Sequence, residues 1–194
     1  MPKPLCSQHP ITDMMQKCRM LYSIPKNREV MKVVQRMNNA FSVAHGEGDA
    51  YWFRVTLLEV KATGEDTNGA FSLIEELHPP GCESPLHVRN NEELTYYVLE
   101  GEMTFTIGEK TIKGVPGTCI YVPRHIKHKY QVGGDSPAKV LSMFTPAGGE
   151  QFFIERSLPA EEYKLPPESV EVDGEFDMDK LTATAQKYGI EILG

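Results

Sequence analysis

The stretch CESPLHVRNNEELTYYVLEG, residues 82–101, decides how the rest of the chain is read. It carries a histidine, His87, two residues ahead of Arg89, and runs into LTYYVLE, which stops at Gly101. Aromatic and aliphatic residues in a short run favour a strand, and a glycine at its end marks a turn.

Working outward, the same texture recurs. YWFRVTLLEVKA, AFSLIEELH, EMTFTIG, KTIKG, TCIYVP, HKYQV and AKVLSMFTP are short runs separated by GEDTNG, PPG and GGDSP. Many short strands with turn clusters between them, and no helical pattern intervening, predict an all-β antiparallel barrel or sandwich. Alternation is cleanest in Met103-Thr104-Phe105-Thr106-Ile107, where one face is apolar and the other hydroxylated. This barrel is expected over residues 41–160. Ahead of it, residues 1–40 read as a helical arm: Met14, Met15, Cys18 and Leu21, then Val30, Val33, Val34 and Met37, fall at helical spacing on either side of Pro25. Behind it, residues 161–194 begin as an acidic, proline-bearing strap. They end in a helix capped by Asp177, with Leu181, Ala185 and Tyr188 on one side and Gly189 as its stop.

Composition narrows the function. With 194 residues, 40% of them hydrophobic and 24% charged, the chain suits one well-buried domain. A net charge of -7 argues against nucleic acid as a partner, since phosphate binding needs a basic surface. The opening MPKPLCSQHPITDMM lacks the apolar run of a secretory signal, and no segment is long enough to span a bilayer, so a cytoplasmic protein without membrane contact is expected. The four cysteines have no CxxC spacing and read as reduced packing residues.

The segment from Gly81 to Val132 resembles the two linked motifs of the cupin superfamily. The first motif runs glycine, five residues, His-x-His, three or four residues, glutamate, six residues, glycine; Gly81, His87 and Gly101 fit it. The second runs glycine, five residues, Pro-x-Gly, two residues, histidine, three residues, asparagine; Gly117, Pro123 and His128 fit it. The flanks, WFRVTLLEVKATGEDTNGAFSLIEELHPPG, VLSMFTPAGGEQFFIE and KYGIEILG, look like the single-domain cupins related to quercetin 2,3-dioxygenase, so that the resemblance runs from about Ala50 to the C-terminus. It implies a jelly-roll barrel around a small-molecule cavity. By analogy of fold it also implies a homodimer.

In metal-bearing members, three histidines and a glutamate hold iron, manganese, nickel or copper. Two of these positions are kept, as His87 and His128; Arg89 replaces the second histidine and Leu94 the glutamate. A guanidinium cannot ligate a metal, and its charge repels a dication. No cofactor is therefore expected. The alternative is a divalent iron, nickel, manganese or copper ion on His87, Glu93 and His128, with Glu93 turned inward by a β-bulge; a regular strand would leave Glu93 facing outward.

Without a metal, His87 and His128 would move protons on a bound substrate, and Arg89 would fix a carboxylate or stabilise an enolate or phenolate. Tyr96 and Tyr130 share strand parity with Leu94 and His128, which predicts that they face the cavity and hydrogen-bond the substrate. Met103 and Phe105 are expected to supply apolar wall. His125 reads as a solvated turn residue, while His78, His45 and His9 read as incidental. Cys82 and Cys119 could approach the cavity, with no base nearby to activate a thiolate.

Three functions follow from these residues. The first is an enzyme that isomerises, cyclises, dehydrates or decarboxylates a largely apolar, polyphenol- or polyketide-like metabolite without oxidation. The second is a metal-dependent, quercetinase-like dioxygenase. The third is a protein that binds such a molecule without altering it.

Overall fold

The computed structural model describes residues 40–193 apart from 168, 172, 173 and 175. The N-terminal helices expected between Thr12 and Met37 lie outside the described residues. Within them the chain forms β1 (Asp49–Phe53), β2 (Thr56–Ala62), β3 (Ser72–His78), β4 (His87–Arg89), β5 (Glu93–Glu100), β6 (Glu102–Ile107), β7 (Lys110–Gly114), β8 (Cys119–Val122), β9 (His128–Gly133) and β10 (Ala138–Thr145). Then come helix α1 (Gly149–Glu155), β11 (Leu158–Pro159), helix α2 (Met178–Lys187) and β12 (Ile190–Ile192). The all-β expectation holds. Two antiparallel sheets face each other as a jelly-roll barrel, one in the order β11-β1-β2-β3-β10-β5-β8 and the other β12-β4-β9-β6-β7.

Period-two alternation decides what enters the barrel. On β5 Leu94, Tyr96 and Val98 are buried; on β6 Met103 and Phe105 are; on β10 Ala138, Val140, Ser142 and Phe144 are. Together with Leu58, Ile74, Ile120, Val122 and Val132 the apolar members form one core between the sheets. Gly101 carries the chain from β5 in one sheet to β6 in the other: its φ is +74°, and a Cβ there would lie 2.5 Å from the Pro137 carbonyl oxygen, so the position admits only glycine.

The C-terminal segment completes the barrel. Asp177 caps α2 by accepting hydrogen bonds from the Asp179 and Lys180 amides, and Leu181 and Ala185 are its buried residues, as the sequence pattern predicts. Gly189, at φ +72°, then reverses the chain so that β12 pairs with β4, Ile190 opposite Arg89 and Ile192 opposite His87. Phe152, Leu181, Ala185 and Ile190 form a second apolar cluster beside the main core. Helix α1, sequence GEQFFIE, is not anticipated by the periodicity. It has only seven residues and no side-chain cap, and it contributes Phe152 and Phe153. No helix among the described residues is long and apolar enough to cross a membrane.

Candidate functional site

A cavity of about 450 Å³ opens between the sheets where β4, β12 and the two helices meet. One side of it is apolar: Phe53, Phe144, Phe152 and Phe153, with Leu181 and Ile190 from the C-terminal segment. The polar lining comprises Arg54, which is paired with Glu171, and Thr56, Glu76, Cys82, Ser84, His87, Arg89, Tyr96 and Tyr130, with Glu83 at the exposed rim. Apolar walls with a few convergent polar groups are the ordinary make-up of a small-molecule site.

His87 and His128 are brought together. They face each other in the β4–β9 register, with ring centroids 4.2 Å apart. Each ring's Nδ1 lies 2.9 Å from a carbonyl oxygen two residues back in the chain, Pro85 for His87 and Ile126 for His128. A carbonyl only accepts, so Nδ1 carries the proton in both rings and Nε2 carries a lone pair. Burial, then the neighbouring His128 and Arg89, pulls His87 down to about 3. Burial and Arg89 pull His128 down to about 4 against the Ile126 hydrogen bond. Both are neutral imidazoles at neutral pH. Only His87 lines the cavity; His128 stands behind it, its Nε2 buried and without a hydrogen-bond partner.

Arg89 is on the wall but it is not a free guanidinium. Its Nη1 donates to Glu92 Oε1 at 2.5 Å, and its Cζ lies 4.9 Å from the Phe144 ring centroid and 5.5 Å from that of Phe153. Glu92, buried like its partner, is a residue that the sequence reading missed. The sequence reading gave Arg89 to the substrate; here Glu92 claims part of its hydrogen-bonding capacity and balances its charge.

Glu93 corrects the alternative ligand set. It pairs with Thr145 in an uninterrupted register and its carboxylate lies 3.4 Å from Arg124 on the outside, while Leu94, 1% exposed, faces in. No bulge occurs at that point of β5; the register shift on this pair lies at the far end, between Lys139 and Val140. Met103 and Phe105 also depart from expectation. Both are fully buried in the core, and Phe105 packs behind Tyr96 and Tyr130, so neither is cavity wall. Tyr96 and Tyr130 do line the cavity, with ring centroids 6.2 Å apart.

The metal that the resemblance implies needs a carboxylate beside the histidines. Leu94 supplies none, Glu93 points away, Glu76 is paired with His78, and Glu92 is taken by Arg89, whose cation sits on the same wall. The residues present do not fit such an ion. Elsewhere, His45, Glu59 and Glu75 bring ligand atoms within 4.8 Å of one another. There Lys61 Nζ already lies 2.6 Å from Glu59, and the Tyr163 hydroxyl contacts Glu59 and Glu75 at 2.6 and 3.0 Å.

A second polar group inside the barrel was read as incidental from sequence. His78, 1% exposed, has Nε2 3.0 Å from Glu76 Oε2 and Nδ1 3.1 Å from Thr56 Oγ1, with Cys82 Sγ at 3.9 Å. The approach to Glu76 is oblique to the N–H direction, a charge contact more than an aligned hydrogen bond. Burial pulls the imidazole down, but Cys82 and the Glu76 carboxylate together raise it to about 9. The signal was available: Glu75 and Glu76 are adjacent on one strand, so one of them must face the core. His125, by contrast, is the exposed turn residue expected, at φ 65°. Cys82 reaches the cavity and Cys119 is exposed.

The cupin domain family matches residues 73–144. Quercetin 2,3-dioxygenase of Bacillus subtilis is 28% identical over 123 residues, which are 63% of this chain and 36% of that enzyme. The uncharacterized protein MJ1618 of Methanocaldococcus jannaschii is 33% identical over 75 residues, 39% of this chain and 60% of that one. The chain thus spans less than two thirds of either relative. Among solved structures, KdgF from Halomonas sp. superposes with a TM-score of 0.52 at 14% identity, covering 58% of this chain and 99% of that one. A predicted oxalate decarboxylase from Thermotoga maritima gives 0.51 at 19%, covering 55% and 99%. At such identities the structural likeness speaks for the fold.

Proposed function

This chain belongs to the cupin superfamily, and from that premise we propose that it converts a largely apolar, polyphenol- or polyketide-like small molecule by proton transfer inside the barrel, without oxidation and without a metal. The observation that carries this reading is the cavity itself: four phenylalanines face a wall of proton-bearing groups whose one buried carboxylate, Glu76, is paired with His78 and forms no ligand cluster with His87 and His128. In this reading His87 is the catalytic imidazole, with Nδ1–H fixed on Pro85 and Nε2 offered to the substrate. His128 positions that ring from behind. Arg89, steadied by Glu92, places a positive charge where an enolate or phenolate would develop. Tyr96 and Tyr130, whose phenols burial keeps protonated, are the neutral donors to substrate oxygen.

Quercetin, the flavonol in the name of the Bacillus relative, and simpler polyphenols are the first compounds to test. Chelator-treated protein is expected to convert a member of that panel without consuming oxygen. His87→Ala should lower kcat/KM by about 100-fold or more. Turnover that consumes oxygen and requires added iron or nickel would overturn the proposal. Saturable binding with no turnover across the panel would leave a carrier in place of an enzyme.

A further inference from the structure

Glu76 is the carboxylate of the cavity that the functional reading above does not use. It is the third inward-facing residue of β3, after Ser72 and Ile74, and the whole residue is 3% exposed. It nonetheless lines the cavity, so what little surface it keeps is turned toward a bound molecule. On its other side stands His78, whose ring is held between Thr56 Oγ1 and the carboxylate and packs 5.0 Å from the Tyr130 ring. Burying an ionised carboxylate is costly unless a counter-charge accompanies it. His78 is that counter-charge.

We infer that Glu76 is the group that takes the acidic hydrogen of the ligand, and that the ligand accordingly presents a neutral phenolic or enolic O–H to the β3 side of the cavity. This rests on the reading of the cavity as a site for an apolar molecule with an ionisable oxygen. Three features support the assignment over a purely structural ion pair. The imidazole is enclosed on the core side, behind the carboxylate, so the carboxylate alone meets the ligand. The other groups on this part of the wall cannot accept a proton as readily: Tyr96 and Tyr130 are held in their protonated form, and Arg89 is a permanent cation. His87 is a weak base, drawn well below its ordinary value by burial and by the neighbouring His128 and Arg89.

The step is simple. The ligand O–H bond breaks with its electron pair left on the ligand oxygen, and a new O–H bond forms on Glu76. The resulting phenolate or enolate faces the Tyr96 and Tyr130 hydroxyl groups, while the His78 imidazolium is left without its carboxylate partner and so favours return of the proton. An anionic ligand, such as a carboxylate, would meet Glu76 charge to charge and is selected against at this end.

The test uses two probes of nearly the same shape, 2-naphthol and 2-methoxynaphthalene, titrated by fluorescence against the full-length protein. Wild type is expected to bind naphthol at least about tenfold more tightly than its methyl ether, the margin of a hydrogen bond to a charged acceptor. Bound naphthol should also show emission of the naphtholate form, produced by proton transfer to the carboxylate. Glu76→Gln, whose amide oxygen is only a neutral acceptor, should cut the affinity ratio to about threefold or less and abolish that emission. If the variant does not fold, the wild-type ratio and emission spectrum still decide the matter. Equal binding of the two probes by wild type, with no naphtholate emission, overturns the role of Glu76 and leaves the cavity reading intact. Failure of both probes to bind removes the cavity reading, and this inference with it.

Discussion

Between pH 6.5 and pH 4.5 the melting temperature is expected to fall by about 10–20 °C, and the cause is the pair of buried imidazoles. A histidine in the unfolded chain takes up its proton near pH 6.5. In the folded state His87 does so only near 3 and His128 only near 4, because burial and the Arg89 charge disfavour the second proton. Their folded values are depressed, so the stability they confer is present above pH 6.5 and is lost as the pH falls toward the folded values. At ~1.4 kcal/mol per unit, the two together lose on the order of 4–5 kcal/mol over this window. For a chain of this size that corresponds to the stated drop, at about 2–4 °C per kcal/mol. The carboxylates act lower. Glu59, for example, is held at about 2 by Lys61, Tyr163 and Gly48 against the effect of its own burial, so its contribution is lost below pH 4.5.

Scanning calorimetry against pH checks this, with His87→Gln/His128→Gln as the comparison. The double variant should be nearly flat from pH 6.5 to 4.5. A wild-type curve equally flat there would mean that the rings are not held neutral. His78 produces the opposite limb. Its folded value, about 9, is raised, so its contribution is complete below pH 6.5 and disappears as the pH climbs through 9. Stability should therefore peak near pH 6.5.

The second large effect concerns Arg89 and Glu92. Glu92→Gln keeps the shape of the side chain and removes the negative charge, leaving a buried guanidinium between Phe144 and Phe153 with no counter-charge. Breaking a buried pair from one side costs about 3–5 kcal/mol, whereas replacing both partners with apolar residues of similar volume is often neutral or stabilising. Urea denaturation should therefore show a severe loss in Glu92→Gln and recovery in the Arg89→Met/Glu92→Leu double variant. If Glu92→Gln costs less than about 1 kcal/mol, the guanidinium is solvated from the cavity and its charge is available to a ligand, as the sequence alone suggested.

That contrast shows where the sequence is legible. Strand parity placed Tyr96 and Tyr130 on the cavity, since alternation on a pleated strand leaves little choice once Leu94 and His128 are inside. Gly101, Asp177 and Gly189 fixed three chain reversals or helix ends because each has a local backbone requirement. Partner choice was not legible in the same way. Whether Arg89 turns to Glu92 or to a ligand depends on a corner after β4 that no periodicity encodes, and the same corner makes Glu92 an inward residue while Glu93 goes to Arg124. His78 reads as incidental in the sequence, where Pro79 and Pro80 follow it. Prolines after a strand end restrict the next turn, however, and say nothing about the face on which the last strand residue lies.

Met103 and Phe105 failed as wall residues for a geometric reason. Inward-facing is not the same as cavity-facing when another layer, here Tyr96 and Tyr130, stands between. The cavity's apolar side comes instead from Phe53 on β1, Phe144 on β10, helix α1 and the C-terminal segment, all outside the motifs that revealed the barrel.

The central claim is that the two histidines of this barrel serve an organic ligand and not a resident metal. Elemental analysis of protein made in medium supplemented with iron, nickel, manganese and copper, and purified without chelators or metal-affinity resin, tests it most directly. The account predicts far less than one transition metal per chain. One equivalent of such a metal, lost in both His87→Ala and His128→Ala, would contradict it.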